Sequence, residues 1–349
     1  MTISVCMIVK NEEERLGRCL SSLAGIADEI VVVDTGSLDR TKEIASQYDA
    51  KIYDFAWVDE FAAARNYAFS LASCDYIYSA DADEEIDGEN RARFLDLKRR
   101  ISEGEIDPDI VQFYYSGQLT QTSVYNYDRE LRPKLFRRLR PFVWEGAIHE
   151  QVRLAPEVYD SGIEIAHKPH GQHADRDLKI FEQMIRREEQ GDAPMPARLL
   201  KLYARELYIA GTPQQFDTAA GYFARRADEE DDGDALEAAC LVVLRAARQA
   251  NDTEKFFRYA MRLMNDGLKS SELCCEMGEH YRTAGDPAEA AVWFMQAAED
   301  AAPSLDIRTG GAFACRGVAN CLRALGDEQS AAEWEERADA AQNRTMQKS

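Results

Sequence analysis

The sequence predicts two architectures in one chain: an α/β domain over residues 1–192 and an all-α domain of helical repeats over 193–349. Three observations carry this reading. Apolar, β-branched runs alternate with helix-length segments through the first half. Strand signals stop near residue 195, where Ala-, Leu- and aromatic-rich helical patterns take over. Short breaks then recur at near-regular intervals, as they do in a solenoid. At 349 residues, 45% hydrophobic and 30% charged, the chain has enough apolar surface for two cores.

In order, Ile3–Val9 is an apolar run that stops at Lys10-Asn11-Glu12, and a helical period follows through Leu16, Cys19, Leu20 and Leu23. Glu29–Val33 is a second strand, ending in Asp34-Thr35-Gly36-Ser37. Ile44 and Ala45 mark the next helix, Ala50–Phe55 a third strand and residues 59–72 a third helix. Asp75–Ser79 is a fourth strand and runs into Asp81-Ala82-Asp83-Glu84. Such spacing makes a parallel sheet flanked by helices, in which ligands gather at the carboxyl ends of strands. Ile110–Tyr115, Lys134–Arg138 and Gly162–Ala166 then read as a mixed, partly antiparallel edge.

A composition break at Gly191-Asp192-Ala193-Pro194 separates the halves. Beyond it the breaks Ala210-Gly211-Thr212-Pro213, Ala250-Asn251-Asp252, Ala284-Gly285-Asp286-Pro287 and Leu325-Gly326-Asp327 place their Gly or Asn positions 40, 34 and 41 residues apart. That is close to the tetratricopeptide period of roughly 34. Trp293 and Phe294 in this half read as packing residues.

The formal charge of −21 repels phosphate backbones, which argues against nucleic acid and anionic membranes as partners. No apolar run reaches the roughly 20 residues of a membrane span, and no signal peptide is legible, so a cytoplasmic protein is expected. Eight cysteines without a C-x-x-C pair read as reduced core thiols.

The chemistry concentrates at strand ends. Asp81 and Asp83 follow the fourth strand, and alternate residues there face opposite ways, so one suits a ribose hydroxyl and the other a divalent metal. Asp34 closes the second strand in a small turn suited to a nucleobase N–H or a ribose hydroxyl; Ser37 or Asp39 also suits a helix N-cap. The chain contains neither a P-loop nor a G-x-G-x-x-G fingerprint. Arg129, Arg132, Lys134, Arg137, Arg138 and Arg140 form a basic cluster. Its favoured reading is protection of a sheet edge, its alternative help for a diphosphate or an acidic acceptor.

Met7-Ile8-Val9-Lys10-Asn11-Glu12, Val33-Asp34-Thr35-Gly36-Ser37, Trp57-Val58-Asp59-Glu60-Phe61, Ala64-Arg65-Asn66 and Asp81-Ala82-Asp83-Glu84 together resemble the nucleotide-sugar half of the family 2 GT-A glycosyltransferases. Trp144-Glu145-Gly146-Ala147-Ile148-His149-Glu150 and Ile165-Ala166-His167 resemble a branch with tetratricopeptide-like repeats after the catalytic domain, to which sublancin-type peptide S-glycosyltransferases are similar. The resemblance implies a GT-A nucleotide-diphospho-sugar transferase domain. In it Val9, Asn11 and Glu12 line the uridine pocket, Asp34 meets base or ribose, and Arg65 and Asn66 approach the nucleotide. Asp81 touches the ribose and Trp144 stands in the substrate site. Asp83 binds Mn²⁺ or Mg²⁺, with His167 the best fitting of His167, His170 and His173 as its partner ligand. Glu150 is the preferred base, Glu145 the alternative, and His149 orients base or acceptor. The implied reaction is inverting transfer from a nucleotide sugar, UDP favoured, to a hydroxyl or thiol, with a peptide or protein favoured over a cell-envelope glycan. The repeats are expected to hold that acceptor or to pair with a second copy. A competing reading makes them a peptide-binding scaffold beside an inactive sugar domain.

Overall fold

The structure is a computed structural model that describes residues 1–116, 129–138, 144–145, 151–152, 157–167, 174–230 and 233–347. Its first unit holds the described residues up to His167, and its second begins with the helix at Ala174.

In chain order the first unit contains β1 (Ile3–Val9), α1 (Leu16–Ser22), β2 (Glu29–Asp34), α2 (Thr41–Ser46), β3 (Lys51–Asp54), α3 (Phe61–Ser70), β4 (Tyr76–Ser79), β5 (Glu84–Glu85) and α4 (Gly88–Ser102). Then follow β6 (Ile110–Ser116), β7 (Arg129–Arg137), β8 (Trp144–Glu145), β9 (Gln151–Val152) and β10 (Val158–His167). Eight of these strands form one sheet in the order β3-β2-β1-β4-β7-β6-β10-β5. β1 runs parallel to β2 and β4, and β2 to β3, as the β-branched runs predict. Strands buried on both faces read as continuous apolar runs, and β1 is the case in point. Val5, Met7 and Val9 pack with Leu16, Leu20, Phe94 and Leu97, while Cys6 turns to Ala62, Ala68 and Phe69 on the other face.

The mixed half has a correction in it. β7 pairs antiparallel with both β4 and β6, so it is an interior strand and not an edge. A row of charges there cannot protect an edge, and its members have separate partners. Arg137 pairs with Asp107 and Asp109, and Arg138 donates to the Cys74 carbonyl. Arg132 stacks its guanidinium 4.2 Å from the Tyr115 ring centre, and Lys134 is buried. Arg140 lies outside the described residues. β5 and α4 have no counterpart in the sequence reading. β5 is two residues long, too short for periodicity, and α4 starts at a cap, the Asp87 carboxylate accepting from the Asn90 N–H at 2.8 Å.

The second unit is helical in every described element: α5 (Ala174–Glu189), α6 (Ala197–Ala210), α7 (Pro213–Glu229), α8 (Gly233–Gln249), α9 (Thr253–Asn265), α10 (Ser271–Thr283), α11 (Pro287–Glu299), a short 3₁₀ turn (Ile307–Gly310), α12 (Ala312–Ala324) and α13 (Glu328–Gln347). The four breaks are the turns within the pairs α6/α7, α8/α9, α10/α11 and α12/α13. Three share one chemistry. Asn251, Gly285 and Gly326 take left-handed φ values of 56°, 85° and 86°. The following Asp252, Asp286 and Asp327 N–H groups bond back to Ala247, Tyr281 and Leu322 carbonyls. The same aspartates then accept from the Lys255, Glu289 and Ser330 N–H groups, capping the next helix. The first turn instead uses a Thr212–Gln215 capping box. α5 is tied in by Glu188, which accepts from the Met195 N–H at 3.0 Å and from the Tyr222 hydroxyl at 2.7 Å. Phe294 is fully buried, as the packing reading requires, and all eight cysteines are free thiols, seven of them buried. Among the described residues no helix is long and apolar enough to cross a membrane.

Candidate active site

β1, β2 and β4 run parallel, so their carboxyl ends emerge together and bring their following loops onto one rim. Val9 ends β1 with its side chain in the core and its carbonyl accepting from the Thr35 N–H at 2.9 Å. Asn11 then takes a left-handed φ of 56°, and its Oδ1 accepts from the Leu38 N–H at 2.8 Å. The Glu12 N–H donates to Thr41 Oγ1, and Asp39 receives both the Glu13 and the Thr41 N–H groups. The N-cap of α2 is Arg40, without a side-chain cap, so neither Asp39 nor Ser37 is the N-cap residue; the Ser37 hydroxyl instead accepts from the Asn11 N–H. The Glu12 carboxylate faces Arg15 at 3.2 Å. Burial pushes its pKa up; Arg15 opposes this, and Asp83, Asp39 and Asp81 add to it.

Asp34 is 1% exposed at the end of β2. Its Oδ1 accepts from the Gly36 and Ser37 N–H groups, both at 2.9 Å. Its Oδ2 is buried without a hydrogen-bond partner among the described residues. Native interiors seldom leave a carboxylate oxygen in that condition, so it is a ready acceptor for a ligand N–H or O–H.

At the end of β4, Asp81 to Glu84 form a tight turn. The Glu84 N–H donates to the Asp81 carbonyl at 3.1 Å, and the Asp81 N–H donates to Glu84 Oε2 at 3.2 Å. Lys134 Nζ, from β7, bonds both side chains, reaching Asp81 Oδ2 at 3.2 Å and Glu84 Oε1. Arg65, from α3, donates to Ser79 Oγ and stands 3.7 Å from Asp81. Burial alone would raise the pKa of Asp81, but Lys134 and Arg65 outweigh it and hold the carboxyl well below the usual range. Burial pushes Glu84 up, Lys134 opposes it and Asp81 adds to it; both carboxylates in turn raise Lys134 against its own burial.

Asp83 sits inside that turn and meets His167, at the end of β10, with Oδ2 3.1 Å from Nε2. β5 pairs Glu84 with His167 in register, which is why residues so distant in sequence adjoin. The His167 ring lies 4.9 Å from the Tyr115 ring, and its Nδ1 is buried without a hydrogen-bond partner among the described residues. No group of three or more His, Cys, Asp and Glu placed to hold a metal occurs among the described residues. Asp83 and His167 nonetheless offer one hard oxygen and one imidazole nitrogen side by side, a donor pair that fits a cation completed by other oxygen ligands.

Not every expected residue is brought here. Asn66 lies on α3, one position after Arg65. Trp144 and Glu145 form β8, described in its backbone, which pairs with β9. His149, Glu150, His170 and His173 lie outside the described residues. Two residues of the site have a part the sequence reading did not give them: Lys134, read there only as one of a basic cluster, and Glu84. Their signal was a lysine set among Leu131, Pro133, Leu135 and Phe136, since a cation on a buried strand needs a carboxylate opposite it.

Residues 4–153 match the family described as Glycosyl transferase family 2. A TPR repeat-containing protein of Synechococcus elongatus is 38% identical over 150 residues, 43% of this chain and 35% of that one. The SPbeta prophage-derived glycosyltransferase SunS of Bacillus subtilis is 27% identical over 225 residues, 60% of this chain and 50% of that one. The chain thus spans half or less of the length of these curated relatives. The crystal structure of S. aureus TarS 1–349 is 14% identical, covers 84% of this chain and 90% of that one, and has a TM-score of 0.37, too loose an agreement to bear on function.

Proposed function

We propose that the first unit, whose residues 4–153 match Glycosyl transferase family 2, makes the protein a metal-dependent, inverting glycosyltransferase. It takes its sugar from a nucleotide sugar, UDP the favoured nucleotide, and hands it to a hydroxyl or thiol acceptor, a peptide or protein favoured. The observation that supports this most is the Asp83–His167 contact at 3.1 Å, a two-donor site at the rim where β1, β2 and β4 end. Asp83 and His167 would hold Mn²⁺ or Mg²⁺, whose positive charge offsets the negative charge that grows on a departing diphosphate.

The chain's own residues do the rest. Asp34 Oδ2 accepts a hydrogen bond from the base or the ribose, and its rigid Oδ1 contacts keep it aimed. Asp81, kept ionised by Lys134 and Arg65, accepts from a ribose hydroxyl. Glu150 takes the acceptor's proton as the acceptor oxygen or sulfur bonds to the anomeric carbon and the carbon–oxygen bond to the diphosphate breaks. Glu145 is the alternative base, and His149 orients whichever acts. Incubating the purified protein with a panel of UDP- and GDP-sugars and Mn²⁺ tests the reading. Release of UDP from at least one donor is expected, and Asp83→Ala should abolish it. Wild-type turnover by that variant would remove the metal role.

A further inference from the structure

The Asp81–Glu84 turn is held at both ends by one side chain from another strand. Lys134 Nζ reaches Asp81 Oδ2 at the start of the turn and Glu84 Oε1 at its close, and the lysine is 5% exposed. Two backbone-anchored bonds shut the turn between the same residues. Glu84 is itself a residue of β5, the two-residue edge strand whose pairing sets Glu84 opposite His167. So short a strand has little cohesion of its own, because each of its few ladder bonds is terminal. Lys134 also lies 5.3 Å from the centre of the Tyr115 ring, which packs on His167.

From this arrangement we infer that Lys134 is a positioning residue for the metal pair: by clamping the turn and anchoring β5 it holds Asp83 against His167 in advance of any ligand. The inference rests on the proposed function for its metal, but not for its mechanics. A buried ion pair of similar size to two apolar side chains often exchanges for them at little cost in stability, whereas one lone charge left behind does not. Lys134→Met/Glu84→Met is therefore the informative variant, and Glu84→Leu, which leaves Lys134 on Asp81, serves should the double variant fail to fold.

Two measurements read it. Amide hydrogen exchange at residues 84–86 and 165–167 should quicken about tenfold or more in the variant, while β1 and β2 amides keep their protection. Calorimetric titration with Mn²⁺ and UDP together should show affinity weakened about 10–100-fold, the usual cost of losing a group that supports a ligand, while UDP alone should lose markedly less, since Arg65 still faces Asp81. Unchanged exchange at β5 and β10 would overturn the inference while leaving the glycosyltransferase reading intact. Wild-type protein that binds no Mn²⁺–UDP would instead defeat that reading, whatever the exchange shows. Equal loss of UDP binding with and without metal would also overturn the inference, since it would mark a general collapse of the pocket.

Discussion

Each unit buries an ionic cluster, and the two are built on opposite plans. In the second unit Glu276, 1% exposed, lies between Arg245 and Arg248 at 2.5 and 2.6 Å. Arg245 also covers the Tyr208 ring at 3.6 Å, so three helices, α6, α8 and α10, meet at one guanidinium. Burial would raise Glu276, but the two guanidinium groups outweigh it and hold it low. Here cations exceed anions, every partner is a fixed part of the helix packing, and the cluster's work is structural. In the first unit Lys134 is shared between two carboxylates, and the same turn presents a third, Asp83, to a histidine. A cluster whose anions exceed its cations, with a His167 nitrogen and an Asp34 oxygen that lack hydrogen-bond partners among the described residues, is arranged to receive a ligand. The balance of charge, more than burial, separates a keystone from a site.

Four changes sharpen or break that contrast. Asp83→Ala has the largest expected effect, a loss of about 100-fold or more in Mn²⁺-dependent UDP release with the melting temperature nearly unchanged, read by coupled assay and calorimetry. Should the protein unfold instead, Asp83 belongs with the structural clusters. Glu276→Leu does the reverse, leaving two half-buried guanidinium groups together. Denaturant unfolding should show a loss of about 3–5 kcal/mol, and Mn²⁺–UDP affinity should hold wherever the second unit stays folded. Gly317→Ala comes third. An added Cβ would stand 2.5 Å from the Phe294 ring, which is fully buried between helices, so overpacking of about 1–3 kcal/mol is expected by thermal or denaturant melting.

The smallest effect is a pH dependence. Burial, helped by Asp177 and opposed by Arg176 and Arg205, pushes the Glu206 carboxyl from 4.5 up to about 8. Between those values the folded chain keeps a proton that the unfolded chain has released, so stability falls as pH rises through that window. Glu206→Gln should melt higher than the wild type at pH 8.5 and show little difference near pH 4.5. Parallel melting curves across that range would show that Glu206 is not held protonated.

What could be read from the sequence follows from how each feature is encoded. The strands β1, β2 and β4 were legible because parallel strands buried on both sides are continuous apolar runs, and three of the repeat turns because each needs a Gly or Asn followed by Asp. Asp34, Asp81 and Asp83 were legible because they directly follow such strands. The interior place of β7 was not, since a strand carrying Arg129, Arg132, Lys134 and Arg137 has the composition of an edge. Only pairing partners brought from elsewhere in the chain distinguish the two.

By itself, then, the sequence determined the order of architectures, the strand-end aspartates and the turns of the repeats, all of which depend on neighbours within a few residues. The tertiary structure alone decided that a two-residue strand carries Asp83 to His167, that Lys134 closes the turn between Asp81 and Glu84, and that Asp34 keeps one oxygen unpaired among the described residues. The reason is physical. Local pattern fixes backbone conformation and which faces are apolar, whereas the match of charge to charge depends on register between strands remote in the chain, and no periodicity records it.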